Sequence, residues 1–132
     1  MIDRLDHLVL TTTDADACVA FYVGLLGMAL DTFGDGRKAL RLGQQKINIH
    51  VKGHEFEPKA HLPVPGALDL CFIADRPLDQ VIDALTSAGA SILQGPVQRT
   101  GATGPIRSIY LRDPDLNLIE ISEYLPSHNA KV

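Results

Sequence analysis

The chain has 132 residues, 45% of them hydrophobic, and a net charge of −4 from 12 basic and 16 acidic side chains. That is enough for one core or for two small modules sharing one, and too apolar for a largely disordered chain. No basic run points to nucleic acid or an anionic membrane surface, and no apolar stretch approaches the ~20 residues that span a bilayer. Met1-Ile2-Asp3-Arg4 lacks a signal-peptide pattern, and Cys18 and Cys71 alone make no disulfide framework, so a reducing cytoplasm is expected.

Leu5–Leu10 reads as a first strand, and Thr13 or Asp14 can cap a helix. Cys18, Phe21, Tyr22, Leu25 and Leu26 form its apolar stripe, and Gly27 closes it. Three short strands follow, Met28–Phe33, Lys38–Leu42 and Lys46–Val51, separated by Gly-rich turns. The stretch from Lys52 to Gly66 holds three prolines and no periodicity, and reads as a linker or a loop over a site. Ala67–Ala74 is the next strand. Asp75 is a candidate cap for a second helix with Pro77 in its first turn and Leu78, Val81, Ile82 and Leu85 as its stripe; Gly89 stops it. Ser91–Leu93 begins another strand, and Gly95–Pro105 reads as a long Gly/Pro loop. Ile106–Leu111 and Leu118–Ser122 form a hairpin across Asp113-Pro114-Asp115, and from Leu125 the tail is polar.

This order is β-α-β-β-β twice, an internal repeat. His7 and Asp69, Thr13 and Asp75, and Gly27 and Gly89 all stand 62 residues apart. The first strand of each half carries one polar residue, His7 or Asp69, and the last carries another, His50 or Glu120. Strand parity puts each on the face opposite its apolar neighbours. Glu120 is the sharpest case, since a mid-strand carboxylate is costly to bury unless something compensates it. With the halves side by side the four would converge, and two imidazoles with two carboxylates suit a divalent metal such as Zn, Ni, Fe or Mn.

Asp6-His7-Leu8-Val9-Leu10, Phe21-Tyr22 with Leu25-Leu26-Gly27-Met28, and Asp113-Pro114-Asp115 with Asn117-Leu118-Ile119-Glu120 resemble the vicinal oxygen chelate superfamily of glyoxalases, bleomycin-resistance proteins and extradiol dioxygenases. Gln45–His50, Glu55–Ala60 and the Gly95-Pro96-Val97, Arg99–Ala102 stretch are similar to its glyoxalase-domain-containing protein 5 group. The resemblance implies an α+β fold of two βαβββ modules, a cupped mixed sheet with helices on its convex face. It implies one domain over residues 1–124, with module 1 at 3–52, a linker at 53–65, module 2 at 66–124 and a polar tail at 125–132. It also implies one divalent ion (Zn, Ni, Fe, Mn or Co) on His7, His50, Asp69 and Glu120, with Glu120 and Tyr110 as catalytic residues. Glyoxalase I usually carries Glu at the place of His50 and His at that of Asp69, so the residue types are exchanged here.

The expected function is a metal-dependent, glyoxalase I-like lyase or isomerase acting on a small vicinal-oxygen substrate such as a 2-oxoaldehyde hemithioacetal. Two alternatives stay open. One is an Fe(II) extradiol-type dioxygenase with His7, His50 and Glu120 as a facial triad; the other is a non-catalytic resistance protein that sequesters a ligand. A homodimer is expected, with no nucleic-acid or membrane partner. His54 and His61 read as surface or lid residues; Lys46, Lys59, Arg99 and Arg107 could bind an anionic substrate, with solvated surface charge as the default for each; and Cys18 and Cys71 read as small apolar residues.

Overall fold

The computed structural model describes residues 1–126. Its elements run β1 (His7–Thr12), α1 (Ala15–Val19), β2 (Ala29–Phe33), β3 (Arg37–Leu42), β4 (Gln45–Val51), β5 (Asp69–Ile73), α2 (Leu78–Ser87), β6 (Gln94–Thr100), β7 (Pro105–Arg112) and β8 (Leu118–Tyr124). The fold is α+β with βαβββ used twice, as the repeat implied. The strands make two four-stranded mixed sheets, β1-β4-β3-β2 and β5-β8-β7-β6, rather than one. The chain divides into two compact units. Among the described residues, unit 1 is Met1–Leu68 with Asp113–Asn117, and unit 2 is Asp69–Arg112 with residues 118–126. The tail expected from Leu125 falls, beyond residue 126, outside the described residues. Among the described residues no helix is long and apolar enough to cross a membrane.

In unit 1, Asp14 is the helix cap and its carboxylate accepts from the Ala17 amide at 3.1 Å. The single α-helix expected to run to Leu26 is α only to Val19 and then widens into a π-helical segment, Ala20–Leu25, with the Leu26 amide donating to the Phe21 carbonyl. Gly27 and Gly89 end the two helical segments at φ +80° and +81°, so these matched landmarks also share a left-handed backbone. Leu10, Leu40, Ile47 and Ile49 share one face of the sheet and are buried, as are Cys18 and Tyr22 of the helical segment. Each such aliphatic side chain contributes roughly 1.5–3 kcal/mol by leaving water. Residues 52–68 form no helix or strand and group with unit 1.

The turn Asp113–Asn117 lies between two strands of unit 2 yet groups with unit 1. Asp113 is 3% exposed. Its Oδ1 accepts from the amides of Asp115 and Asn117, both at 2.9 Å, and its Oδ2 from the Tyr22 hydroxyl at 2.6 Å and Asn117 Nδ2 at 2.8 Å. Asp115 accepts from the Thr12 hydroxyl and from both the amide and hydroxyl of Thr13. Asn117 Oδ1 accepts from the Leu68 amide at 2.9 Å. A Cβ on Gly66 would stand 2.6 Å from the Asp115 carbonyl oxygen, so glycine is required where the linker passes this turn. Burial pushes the Asp115 carboxyl up, but the three hydrogen bonds from Thr12 and Thr13 outweigh it and hold the group below the usual carboxylate range.

In unit 2, Pro77 rather than Asp75 occupies the cap position, and the Leu78 amide donates to the Glu123 carboxylate at 3.0 Å. Asp75 instead pairs with its neighbour Arg76. The buried faces of α2 (Leu78, Leu85) and of the sheet (Ile109, Leu111, Ile119, Ile121) supply the core. The stretch expected as a Gly/Pro loop is largely strand: β6 runs Gln94–Thr100 with an irregularity between Gln94 and Val97. It lies at the sheet edge, where Pro96 removes no interior ladder bond.

Candidate functional site

Each unit presents one polar sheet face. In unit 1, β1 and β4 are parallel, with His7 level with Lys46, Val9 with Asn48 and Thr11 with His50. His7, Asn48 and His50 therefore share the face opposite Leu8, Leu10, Ile47 and Ile49, as parity predicted. In unit 2, Asp69 is level with Leu118 and Cys71 with Glu120. Matching His7 to Asp69 then makes Asn48 the counterpart of Glu120. His50 corresponds to Ser122, not to Glu120. The repeat alignment behind the four-residue constellation is thus displaced by one pleat in the last strand of unit 1, and Asn48 is the residue it passed over.

His7 is exposed, and its Nδ1 lies 2.8 Å from Asp6 Oδ2. A carboxylate only accepts, so Nδ1 carries the proton and Nε2 is left to bind. The same bond holds the Asp6 carboxyl below its ordinary range. Asn48 and His50 are different: they are 7% and 3% exposed, and Asn48 Oδ1 and His50 Nε2 are buried without a partner among the described residues. Such an atom costs roughly 1–3 kcal/mol when left unbonded. Burial, then the neighbouring Arg37 charge, lower the His50 pKa, with Glu55 opposing them, so a neutral imidazole is favoured. Phe56 meets the His50 ring edge-on at 5.7 Å, and the Arg37 guanidinium lies 4.4 Å from the Phe56 centroid.

In unit 2, Glu120 sits mid-β8, half-buried, directly across from Tyr110 on β7. Asp69 is its diagonal neighbour on the same face, roughly 8 Å away at the Cα atoms by strand geometry. Ser122 Oγ donates to Glu120 Oε2 over a long 3.4 Å. Having given its proton there, Ser122 is the acceptor toward Ser108 at 2.6 Å and Cys71 at 3.3 Å. Arg99 Nε donates to the Tyr110 hydroxyl at 3.0 Å, which leaves the phenol proton free to be donated elsewhere. Arg99 therefore belongs to this face and is not a bare surface charge.

The donor chemistry of His7, His50, Asp69 and Glu120 suits a divalent ion, but their placement within each unit does not gather it. His7 and His50 stand four residues apart along neighbouring strands, about 14 Å at their Cα atoms by strand geometry. Among the described residues no three His, Cys, Asp or Glu side chains lie together as a metal-holding group. Cys18 is no candidate for chemistry: burial, then the nearby Asp113 charge, push its thiol up to about 12.

Two βαβββ units, each carrying a polar face, define the class. Residues 4–121 match the glyoxalase/bleomycin resistance protein/dioxygenase superfamily, and the chain belongs to it. Many members are enzymes, small-molecule binding is typical and metal dependence is frequent. The chain is 56% identical over 125 residues to virulence protein STM3117 of Salmonella typhimurium, covering 95% of this chain and 87% of that protein. The crystal structure of that protein superimposes with a TM-score of 0.93, over 95% of this chain and 99% of the other. Glyoxalase domain-containing protein RDO1 of Mycosarcoma maydis is 55% identical over 123 residues, 93% of this chain and 69% of its own length. An integron cassette protein from the mobile metagenome of V. cholerae is 51% identical with a TM-score of 0.92, over 95% and 98% of the two chains.

Proposed function

We propose that the chain is a lyase or isomerase that moves a proton on a small vicinal-oxygen substrate, such as the hemithioacetal of a 2-oxoaldehyde. The observation that carries this is Glu120, a half-buried carboxylate directly across from Tyr110, whose own hydroxyl is bonded by Arg99. Among the described residues Glu120 makes no ion pair, so nothing neutralises it in advance of a substrate. Its carboxylate takes the proton α to the substrate carbonyl. Tyr110 donates to the oxygen on which charge develops, with Arg99 holding the phenol in place. Protonated Glu120 then returns the proton to the adjacent carbon, while the proton leaving the substrate's hydroxyl, as that oxygen becomes the product carbonyl, restores the Tyr110 phenol, so the reaction is an isomerisation with no net redox change. The dioxygenase alternative asks His7 and His50 to share one ion across four residues of β1–β4 register, and it draws no support from the Glu120–Tyr110–Arg99 arrangement.

The test is turnover of a methylglyoxal–glutathione hemithioacetal by the purified protein, alone and after loading with Zn, Ni, Co or Mn. Glu120→Gln is expected to lose roughly 10²–10⁴-fold in kcat, the usual worth of a general base, and Tyr110→Phe less. Wild-type protein inert under every condition, or Glu120→Gln as active as wild type, sinks the reading. Metal analysis of wild type and of Asp69→Ala reads metal content independently of turnover. A homodimer and a reducing compartment are part of the same proposal, the latter in keeping with two unpaired cysteines.

A further inference from the structure

We propose that the polar face of unit 1 binds a small carboxylate that also bears a hydroxyl group: Arg37 pairs with the carboxylate, Asn48 Oδ1 accepts from the hydroxyl, and His50 Nε2 bonds the same molecule. The proposal goes beyond the proton-transfer reading and does not rest on it, since none of its residues lies in unit 2.

The first observation is Arg37. Arg4, Arg41, Arg76 and Arg107 pair with carboxylates, and Arg99 bonds Tyr110. Arg37 makes no hydrogen bond or ion pair with any described residue. Its guanidinium is held between two aromatic rings, 5.1 Å from the Phe33 centroid and 4.4 Å from that of Phe56. A planar fork of donors fixed by ring faces is pre-organised for a planar, two-oxygen acceptor. Lys46, with its ammonium 3.9 Å from the Phe33 centroid, adds positive charge to the same face.

The second observation is independent of the first. Arg37 precedes Lys38, which pairs with Ile49, so it sits beside His50, while Ala39 pairs with Asn48. Arg37, Asn48 and His50 thus project from one face of adjacent strands. Asn48 Oδ1 is an acceptor and needs a donor, which a carboxylate cannot supply and a hydroxyl can. His50 Nε2 accepts or donates according to tautomer. The three unmet groups together ask for an anion with a hydroxyl close to it.

The smallest matched probes are glycolate and acetate, which differ by that hydroxyl, with inorganic phosphate as a second anion. Each is titrated into the full chain, following the Arg37 and His50 side-chain signals by NMR. Glycolate is expected to bind about tenfold more tightly than acetate, because the analogue lacking the hydroxyl leaves Asn48 unpaired. Arg37→Met is expected to abolish binding of both, and Asn48→Leu to bring glycolate down to the level of acetate. Should Arg37→Met not fold, Arg37→Lys keeps the charge without the fork and is expected to weaken glycolate several-fold. Equal binding of glycolate and acetate, tighter binding of phosphate than of glycolate, wild-type affinity in the arginine variant, or no glycolate binding at tens of millimolar would each overturn the assignment. None of these outcomes depends on turnover.

Discussion

Unit 1 buries polar groups in two places and treats them in opposite ways. At the Asp113 turn every acceptor is used: the carboxylate takes four hydrogen bonds, from a tyrosine, an asparagine side chain and two amides. On the β4 face, Asn48 Oδ1 and His50 Nε2 are as deeply buried and bond to nothing among the described residues. A saturated buried network specifies a fold; an unsatisfied one spends stability on something outside the fold. The motif that dominates the sequence is therefore the architectural one, and the less conspicuous β4 residues are the ones left ready for a ligand.

The largest effect should come from breaking the saturated site. Asp113→Ala strands the Tyr22 hydroxyl and Asn117 Nδ2 in the interior and is expected to cost about 3–5 kcal/mol, read as a lower urea midpoint at unchanged m-value. At the unsatisfied site the sign should reverse. Asn48→Leu replaces an orphaned polar atom with apolar volume and should raise stability by about 1 kcal/mol in the same assay. An Asn48→Leu variant less stable than wild type by a similar amount would show that the asparagine is structural after all. The smallest effect concerns Asp115. Its folded-state pKa is depressed below the ordinary value near 3.8, so its contribution is present above that value and is lost as pH falls through the folded one. Asp115→Asn should therefore flatten stability against pH below about 3.8 and leave the slope near neutrality unchanged.

Much of the fold was legible because its signals are local. The Asp14 cap, the Cys18–Tyr22 stripe, the hairpin across Asp113–Asp115 and the paired helix stops at Gly27 and Gly89 each depend on a few neighbouring residues. The misses are non-local. The α2 cap is made by Glu123, on the last strand, and no reading of Asp75-Arg76-Pro77 could show it. The Gly/Pro composition of β6 suggested a loop because an edge strand tolerates residues an interior strand does not. The site suffered most. Glu120 stands out by strand alternation and Tyr110 only through the family resemblance, and pairing sets them side by side. Sequence alone pairs His50 with Glu120 as the polar residues of the two last strands. Strand pairing fixes the register at Asn48 instead, and a shift of two residues keeps the face while changing the partner. Nothing in the local sequence marks an asparagine between two isoleucines as unbonded.

The assignment of Asp113–Asn117 to unit 1 also bears on how this chain could be taken apart. A duplicated fold invites a cut in the linker, between residues 53 and 65, to give two half-length fragments. Here such a cut would leave the first fragment with Tyr22, Thr12 and Thr13 facing no carboxylate, because their partners are encoded some ninety to one hundred residues downstream. The second fragment would carry a hairpin loop whose two aspartates are built to bond residues it no longer possesses. The halves are repeated in pattern but not separable as pieces: co-expressed fragments should recover a folded species only together, and a single half duplicated in tandem would need that five-residue turn supplied to it before it could stand alone.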